Sequence, residues 1–312
     1  FISILAQVFV GTSVSRVLPP LPRSVSAMGA TRQLRALVRL SVLVLGCLLV
    51  LQGPRAIDPR AFITVLGGTG LTGREVVYQA LQQGEDVVVL ARDPSKLLKP
   101  LGSAGDAADT PLDDPKLTVV AGDVTRMEDV EKVIKDGVTG VVVSLGGKTA
   151  DVGETMLTDG TKNVIAAMKK VGAKRVAVVS SIGVGDSEGQ APFFFKILMY
   201  TMMSKIFKDK NAQEALFTDP SGPGADLEWT MVRPGGLTVE KPTGVINVID
   251  GEAGSIARAD VADFCLGAIL EPDFAYIKKT PCISSVGGTG WTKDRSAKAR
   301  LGEKAAADAA GA

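Results

Sequence analysis

Between residues 62 and 285 the apolar positions fall into short continuous runs, and longer stretches in which they recur every three or four residues lie between those runs. Each short run is β-branched and of strand length, as expected for a strand buried on both faces, and each longer stretch has the period of a helix that covers it. The first unit, Ile63 to Arg92, reads ITVLGGTGLTGREVVYQALQQGEDVVVLAR: an apolar run over Ile63–Leu66, a glycine turn, a periodic segment to about Gln83 and a second run over Asp86–Ala91. That order is a βαβ unit. Further runs predict strands over Leu117–Ala121 (LTVVA), Gly140–Leu145 (GVVVSL), Arg175–Ser181 (RVAVVSS) and Glu228–Arg233, with a short final strand over Thr280–Ser284. Helical periodicity covers Met127–Ile134, Thr155–Val171 and Arg258–Leu270. Strands that alternate with helices in this way predict an α/β fold built on a doubly wound parallel sheet.

Two stretches depart from that rhythm. Residues 94–116 are rich in Gly, Pro, Ala and Asp and read as a surface loop with a helical start. Phe193–Leu216 (FFFKILMYTMMSKIFKDKNAQEAL) is long, apolar and rich in methionine, but Lys196, Lys205, Lys208, Asp209 and Lys210 interrupt it. It is expected to be one core or substrate-pocket helix, in preference to a membrane-contacting one.

Residues 1–57 contain six arginines, six serines and no lysine, aspartate or glutamate. Within them Met28, Arg32, Arg35 and Arg39 precede a twelve-residue apolar run, Leu40–Leu51, the order of a basic n-region and an h-region. Twelve residues fall short of the roughly 20 that cross a bilayer, so no stable membrane span is expected. Acid-free, arginine-only composition also suits an organellar transit peptide. The expected organisation is a targeting leader over 1–57, a single domain over 58–290 with a small substrate-pocket portion, and a charged, alanine-rich tail over 291–312 that is frayed or disordered.

Composition removes several kinds of chemistry. The whole chain has 35 basic and 34 acidic side chains; without the leader, residues 58–312 keep 29 basic against 34 acidic, a balance that gives no reason to expect nucleic-acid binding. There is no histidine, which excludes imidazole acid-base catalysis, Ser-His-Asp triads and histidine-ligated metals. Cys47, Cys265 and Cys282 form neither a CxxC nor a zinc spacing, so no metal site and no disulfide framework is expected.

The chemistry that remains lies at the strand ends. Gly67, Gly70 and Gly73 are spaced GxxGxxG, not the GxGxxG of the general dinucleotide fingerprint, but a strand precedes them and a helix follows. Glycines there allow a tight turn, close approach of the backbone to a pyrophosphate and close packing of helix on strand; the helix N-terminus supplies N–H groups to the phosphates. The fold is therefore expected to be an NAD(P)-binding Rossmann fold. At the end of the second strand, where an acid would hold a free ribose hydroxyl, Arg92 stands instead and favours a 2′-phosphate, hence NADP(H). Asp93 follows it and offers a competing ion-pair partner. Asp123, after the third strand, either contacts the adenine or caps its own turn. Gly146 and Gly147 would let the backbone pass close to the cofactor. Ser180 and Ser181 leave the fifth strand beside the nicotinamide position, where Ser181 either orients a substrate carbonyl or satisfies its own backbone.

The series GGTGLTG, VVVLAR, VAGDV, VVVSLGG, DGTKNVIAAMKKVGAKRVAVVSSIGVGDS, EWTMVRPGG and ARADVADFCLGAIL resembles the atypical short-chain dehydrogenase/reductase superfamily, over about residues 61–285. More narrowly it is similar to the NAD(P)H-binding group that includes biliverdin reductase B (flavin reductase) and plastid translocon-associated dehydrogenase-like proteins. The resemblance implies phosphate-binding roles for Gly67, Gly70 and Gly73, with Thr69, Leu71 and Thr72 in the same turn. It implies a 2′-phosphate role for Arg92, an adenine contact at Asp123–Val124, an active-site serine at Ser181, and a nicotinamide-proximal segment at Pro234–Gly235. Extended members carry YxxxK with a glutamate four residues beyond the lysine. Aligning on Glu214 puts the lysine at Lys210 and Ile206 where the tyrosine belongs. Lys210 then either holds a ribose hydroxyl or stands as an exposed, ion-paired lysine. Loss of the tyrosine counts against alcohol oxidation, epimerase and dehydratase chemistry, and leaves reduction of a conjugated small-molecule acceptor by NADPH, because the cofactor carries the hydride. The alternative is a non-catalytic NADP(H)-binding redox sensor or tether of a partner protein. The resemblance, with the leader, also implies an organelle, foremost a plastid, with the secretory pathway or mitochondrion as alternatives.

Overall fold

The computed structural model describes residues 61–147, 153–250 and 253–288. The leader expected over 1–57 and the tail expected over 291–312 lie outside the described residues.

The elements follow in the expected order. They are β1 (Phe62–Leu66), α1 (Leu71–Gln82), β2 (Val87–Ala91), β3 (Leu117–Ala121), α2 (Met127–Val133), β4 (Val138–Val143), α3 (Met156–Val171) and β5 (Arg175–Val179). Then come α4 (Phe193–Tyr200), α5 (Ser204–Thr218), β6 (Glu228–Pro234), β7 (Gly236–Thr238), β8 (Asn247–Val248), β9 (Ala253–Ala257), α6 (Arg258–Leu270), β10 (Cys282–Ser284) and β11 (Val286–Gly288). The main sheet has the order β3-β2-β1-β4-β5-β6-β10-β8; its neighbours run parallel except β8, which is antiparallel to β10. The chain builds outward from β1 to β3, then returns to the other side of β1 as β4. The carboxyl ends of β1 and β4 therefore face a crevice at the point where strand order reverses.

Burial explains why the strands read as unbroken apolar runs. Successive side chains point to opposite faces, and both faces are covered. Ile63, Val65, Val87, Val89 and Val142 pack with Val76, Val77 and Ala80 of α1 and Val261, Phe264 and Leu266 of α6. Leu66, Val88, Leu90, Val141 and Val143 pack on the other face with Val130 of α2, Val164 and Met168 of α3 and Phe217 of α5. Thr64, a polar residue in the middle of β1, is fully buried, and its Oγ1 donates to the Val133 carbonyl at 2.6 Å.

The structure differs from the sequence reading in two places that shape the site. Phe193–Leu216 is two helices. The Thr201 hydroxyl donates back to the Ile197 carbonyl at 2.7 Å and Met203 N reaches Leu198 O at 3.0 Å, so the regular ladder is interrupted before α5 begins. The second difference is a small sheet, β11-β9-β7, with β7 parallel and β11 antiparallel to β9. Its strands are short and glycine-bearing, and they lack the alternation that marks a strand in sequence.

Candidate functional site

A cleft of about 1120 Å³ opens at the carboxyl ends of the strands and is continuous from Arg92 and Asp123 at one end to Phe195, Leu237 and Arg258 at the other. Its floor is the turn between β1 and α1. Gly67 has φ of +82°, and a Cβ there would lie 2.3 Å from the Ser144 carbonyl oxygen, so only glycine lets this turn sit under the end of β4. Gly73, one turn into α1, is required for another reason: a Cβ would lie 2.1 Å from Gly67 O. It packs the helix onto the turn and does not itself line the cleft. Gly67, Thr69, Gly70, Leu71 and Thr72 do. Gly70 is the N-cap of α1, makes no side-chain cap bond, and no acidic residue stands in the first turn. Such a terminus presents backbone N–H groups and the positive end of the helix dipole without a competing carboxylate, which suits a diphosphate.

Arg92 is exposed at the end of β2, lines the cleft, and has neither a hydrogen bond nor an ion pair among the described residues. Asp93 is engaged elsewhere: its carboxylate accepts from Ser95 N at 3.1 Å and Ser95 Oγ at 2.6 Å, and lies 3.4 Å from Lys96 Nζ. The Ser95 hydrogen bond holds its pKa below the usual value against the opposing effect of burial, with Lys96 adding to the lowering. Asp123 and Val124 line the cleft beside Arg92. One Asp123 oxygen closes the turn, accepting from Thr125 N at 2.9 Å and Thr125 Oγ1 at 2.7 Å. Gly146 and Gly235 lie on the wall, whereas Pro234 is buried behind it and accepts from Ile182 N at 3.1 Å.

Lys210 reaches the cleft because its neighbours on α5 fix that helix on two sides. Asp209, buried, accepts from Leu157 N at 2.9 Å, Thr158 N at 3.0 Å and Thr158 Oγ1 at 2.5 Å, and so caps α3, which has no cap bond from its own Thr155. One turn on, Gln213 donates to Thr161 Oγ1 at 2.8 Å, while Glu214 takes Arg233 of β6 in a buried two-point pair at 3.1 and 2.6 Å. Burial lowers the Arg233 pKa, but Glu214 and Asp186 outweigh it and hold it above its usual value. Between these anchors the half-buried Lys210 ammonium donates to Val179 O at 3.3 Å. Burial pushes its pKa down to about 8, opposed by Glu214 and Asp209.

Ile206 sits one turn before Lys210 and shares with it a small annex beside Gly146 and Gly147. Tyr200 is no substitute for the missing tyrosine: it is 61% exposed on α4, away from the cleft wall, with its hydroxyl donated to Glu188. Ser181 is half-buried on the wall, and its hydroxyl donates to Ile182 O at 3.0 Å. Toward a ligand it thus offers acceptor lone pairs, and it becomes a donor only by exchanging that bond. Phe195 and Met203, from the stretch expected as a core or substrate-pocket helix, line the far wall, and sequence reasoning missed the residues that join them there, Leu237, Ser255 and Arg258. Two of them lie on β7 and β9, whose strands carry no legible pattern.

Residues 67–272 match the model of a family described as NAD(P)H-binding. The chain is 32% identical over 227 residues to a chloroplastic protein of Arabidopsis thaliana, covering 69% of this chain and 74% of that one. Among solved structures it resembles an anaerobillin reductase from Escherichia coli O157:H7, with TM-score 0.53 and 21% identity over 72% of this chain and 96% of that one. It also resembles a short-chain dehydrogenase/reductase from Veillonella parvula in complex with NADP, with TM-score 0.54 and 15% identity over 73% of this chain and 95% of that one. A parallel sheet in Rossmann order, a glycine turn under an uncapped helix and a family match over most of the chain lead to one assignment: this chain belongs to the NAD(P)H-binding family.

Proposed function

We propose that the protein is an NADPH-dependent reductase of a flat, conjugated small molecule, acting in a plastid. The observation that carries the reading is the continuity of the cleft: the phosphate-binding turn and an apolar wall of Met156, Ile182, Phe195 and Met203 belong to one space of about 1120 Å³. That is at or above the usual upper range for a single small-ligand pocket, roughly 1,000 Å³, so a dinucleotide leaves room for an acceptor. The N-terminus of α1 would hold the diphosphate, Arg92 the 2′-phosphate, and Asp123 with Val124 the adenine. Gly146 and Gly235 let the backbone run close to the nicotinamide half, with Pro234 fixing the end of β6. Lys210 would hold a ribose hydroxyl, and Ser181 would orient the acceptor.

When bound, the nicotinamide supplies the hydride. The chain's own contribution is alignment and exclusion of water, since Ile206 offers no proton where related enzymes use a tyrosine. The names of the two solved relatives, an anaerobillin reductase and an NADP complex, support the reaction class and the cofactor. A plastid location is supported by the chloroplastic relative and by the arginine-only composition of residues 1–57. The test is NADPH oxidation by the purified full chain against flavins, quinones and simple carbonyls. Turnover with the flat conjugated acceptors is expected. Tight NADPH binding with no turnover in any of these would replace the enzyme reading with that of a redox-sensing regulator of a partner protein.

A further inference from the structure

Among the described residues four charged side chains line the cleft: Arg92, Asp123, Lys210 and Arg258. The first three have places around the cofactor; Arg258 has none. It is the first residue of α6, half-buried, and its NH1 donates to Leu237 O at 3.2 Å and Thr238 O at 3.0 Å, both uncharged acceptors on β7.

The comparison with the other enclosed arginines is informative. Arg74 pairs with Asp109, Arg175 with Glu228, and Arg233 with Glu214 and Asp186. Among the described residues Arg258 is the one arginine that is sheltered from solvent and has no carboxylate within ion-pair distance. Burial lowers its pKa, opposed by Glu75, whose Oε1 accepts from Gly102 N at 2.8 Å and whose buried Oε2 has no hydrogen-bond partner among the described residues, but which lies beyond ion-pair distance of the guanidinium. A guanidinium taken out of water without an anion is costly, and the cost falls when a ligand supplies one. The geometry also leaves the right donors. With NH1 held by β7, Nε and NH2 make no bond among the described residues, and they form the side-on edge that grips a carboxylate or phosphate through two parallel N–H groups.

We infer that Arg258 is the anchor for an anionic group, carboxylate or phosphate, on the acceptor, which makes the substrate class a flat conjugated anion. The 2′-phosphate and the diphosphate have separate partners in Arg92 and the N-terminus of α1, so the anion left for Arg258 belongs to the second ligand. This rests on the reductase reading, but its test does not need turnover.

The probes are flavin mononucleotide and riboflavin, which share one ring system and differ by a phosphate. Each is titrated by fluorescence into the full chain saturated with NADP⁺, which cannot transfer a hydride. Wild type should bind the mononucleotide about tenfold or more tightly than riboflavin, as expected of a charge-assisted pair. Arg258→Gln should erase that preference by weakening the mononucleotide alone, Arg258→Lys should keep part of it, and both variants should bind NADPH as wild type does. The inference is overturned if wild type shows no preference or binds neither flavin, or if the preference survives in Arg258→Gln. It is also overturned if Arg258→Gln weakens NADPH and NADH equally, which would assign the guanidinium to the diphosphate. Should Arg258→Gln not fold, Arg258→Lys with the same two flavins decides: an unchanged ratio overturns the inference. NADPH oxidation is assayed separately, so a protein that binds the anion without turning over NADPH would count against the reductase reading and leave the anion site standing.

Discussion

Asp209 of α5 caps α3 across the interhelix contact, its carboxylate accepting from both the backbone N–H and the hydroxyl of Thr158, at 3.0 and 2.5 Å. That pairing sets the rotation of α5 and with it the direction of Lys210, the next residue. Asp209→Ala removes a cap and leaves the N–H groups of Leu157 and Thr158 buried without it, so a loss of about 2 kcal/mol is expected from cap deletions. Thr158→Val removes only the hydroxyl bond and should cost about 1 kcal/mol. Because the two share one interaction, the double variant Asp209→Ala/Thr158→Val should lose less than the sum in urea denaturation. Strict additivity would mean that the Thr158 hydroxyl and the Asp209 carboxylate do not interact.

Lys210 carries a cost that pH can reveal. Its pKa is about 8 in the fold against an ordinary 10.5, because burial disfavours the charge. Between those values the unfolded chain binds more protons than the folded one, so stability rises with pH through that window; below about 8 the full penalty is present. Lys210→Met should therefore be more stable than wild type at pH 7, and the gap should narrow as pH rises from about 8 to 10.5. Thermal unfolding at both ends of the window measures it. A gap that does not change with pH would place the ammonium in solvent.

Ser181→Ala tests whether the serine touches the acceptor. If it orients that ligand, turnover should fall about tenfold or more while NADPH affinity stays the same. Unchanged turnover would mean that the bond to Ile182 O is the whole of its role.

What was legible in sequence was whatever a single strand or helix determines alone. The runs around Val65, Val89, Val142 and Val178 are apolar throughout because helices cover both faces, so parallel strands and their order of appearance could be read directly. Gly67 and Gly73 could be read because their conformations leave no room for a side chain. The far wall could not be read in the same way. Leu237, Ser255 and Arg258 are brought together by pairing of three- and five-residue strands distant in sequence, and nothing local to Gly236–Thr238 marks it as a strand. The break after Thr201 was hidden for the opposite reason: apolar periodicity continues across it, while the backbone ladder slips where Met203 N bonds Leu198 O, next to the Thr201 hydroxyl turned back to Ile197 O. Asp123 was read with two roles, and its Oδ1 does take the turn-closing one while the residue lines the cleft.

Arg92 is expected to hold the 2′-phosphate of NADPH in this cleft. The guanidinium lies on the wall with no partner among the described residues, and Asp93 is committed to Ser95 and Lys96. Charge-assisted bonds to a 2′-phosphate are worth about 1.5 to 3 kcal/mol each, roughly tenfold to a hundredfold in affinity. Arg92→Glu removes the donor, repels the phosphate and offers an acceptor to the free ribose hydroxyl of NADH. Fluorescence titration of NADPH and NADH into wild type and Arg92→Glu should show wild type preferring NADPH by at least about tenfold, with the preference abolished or reversed in the variant; an NADPH to NADH ratio that is the same in both proteins would contradict the account.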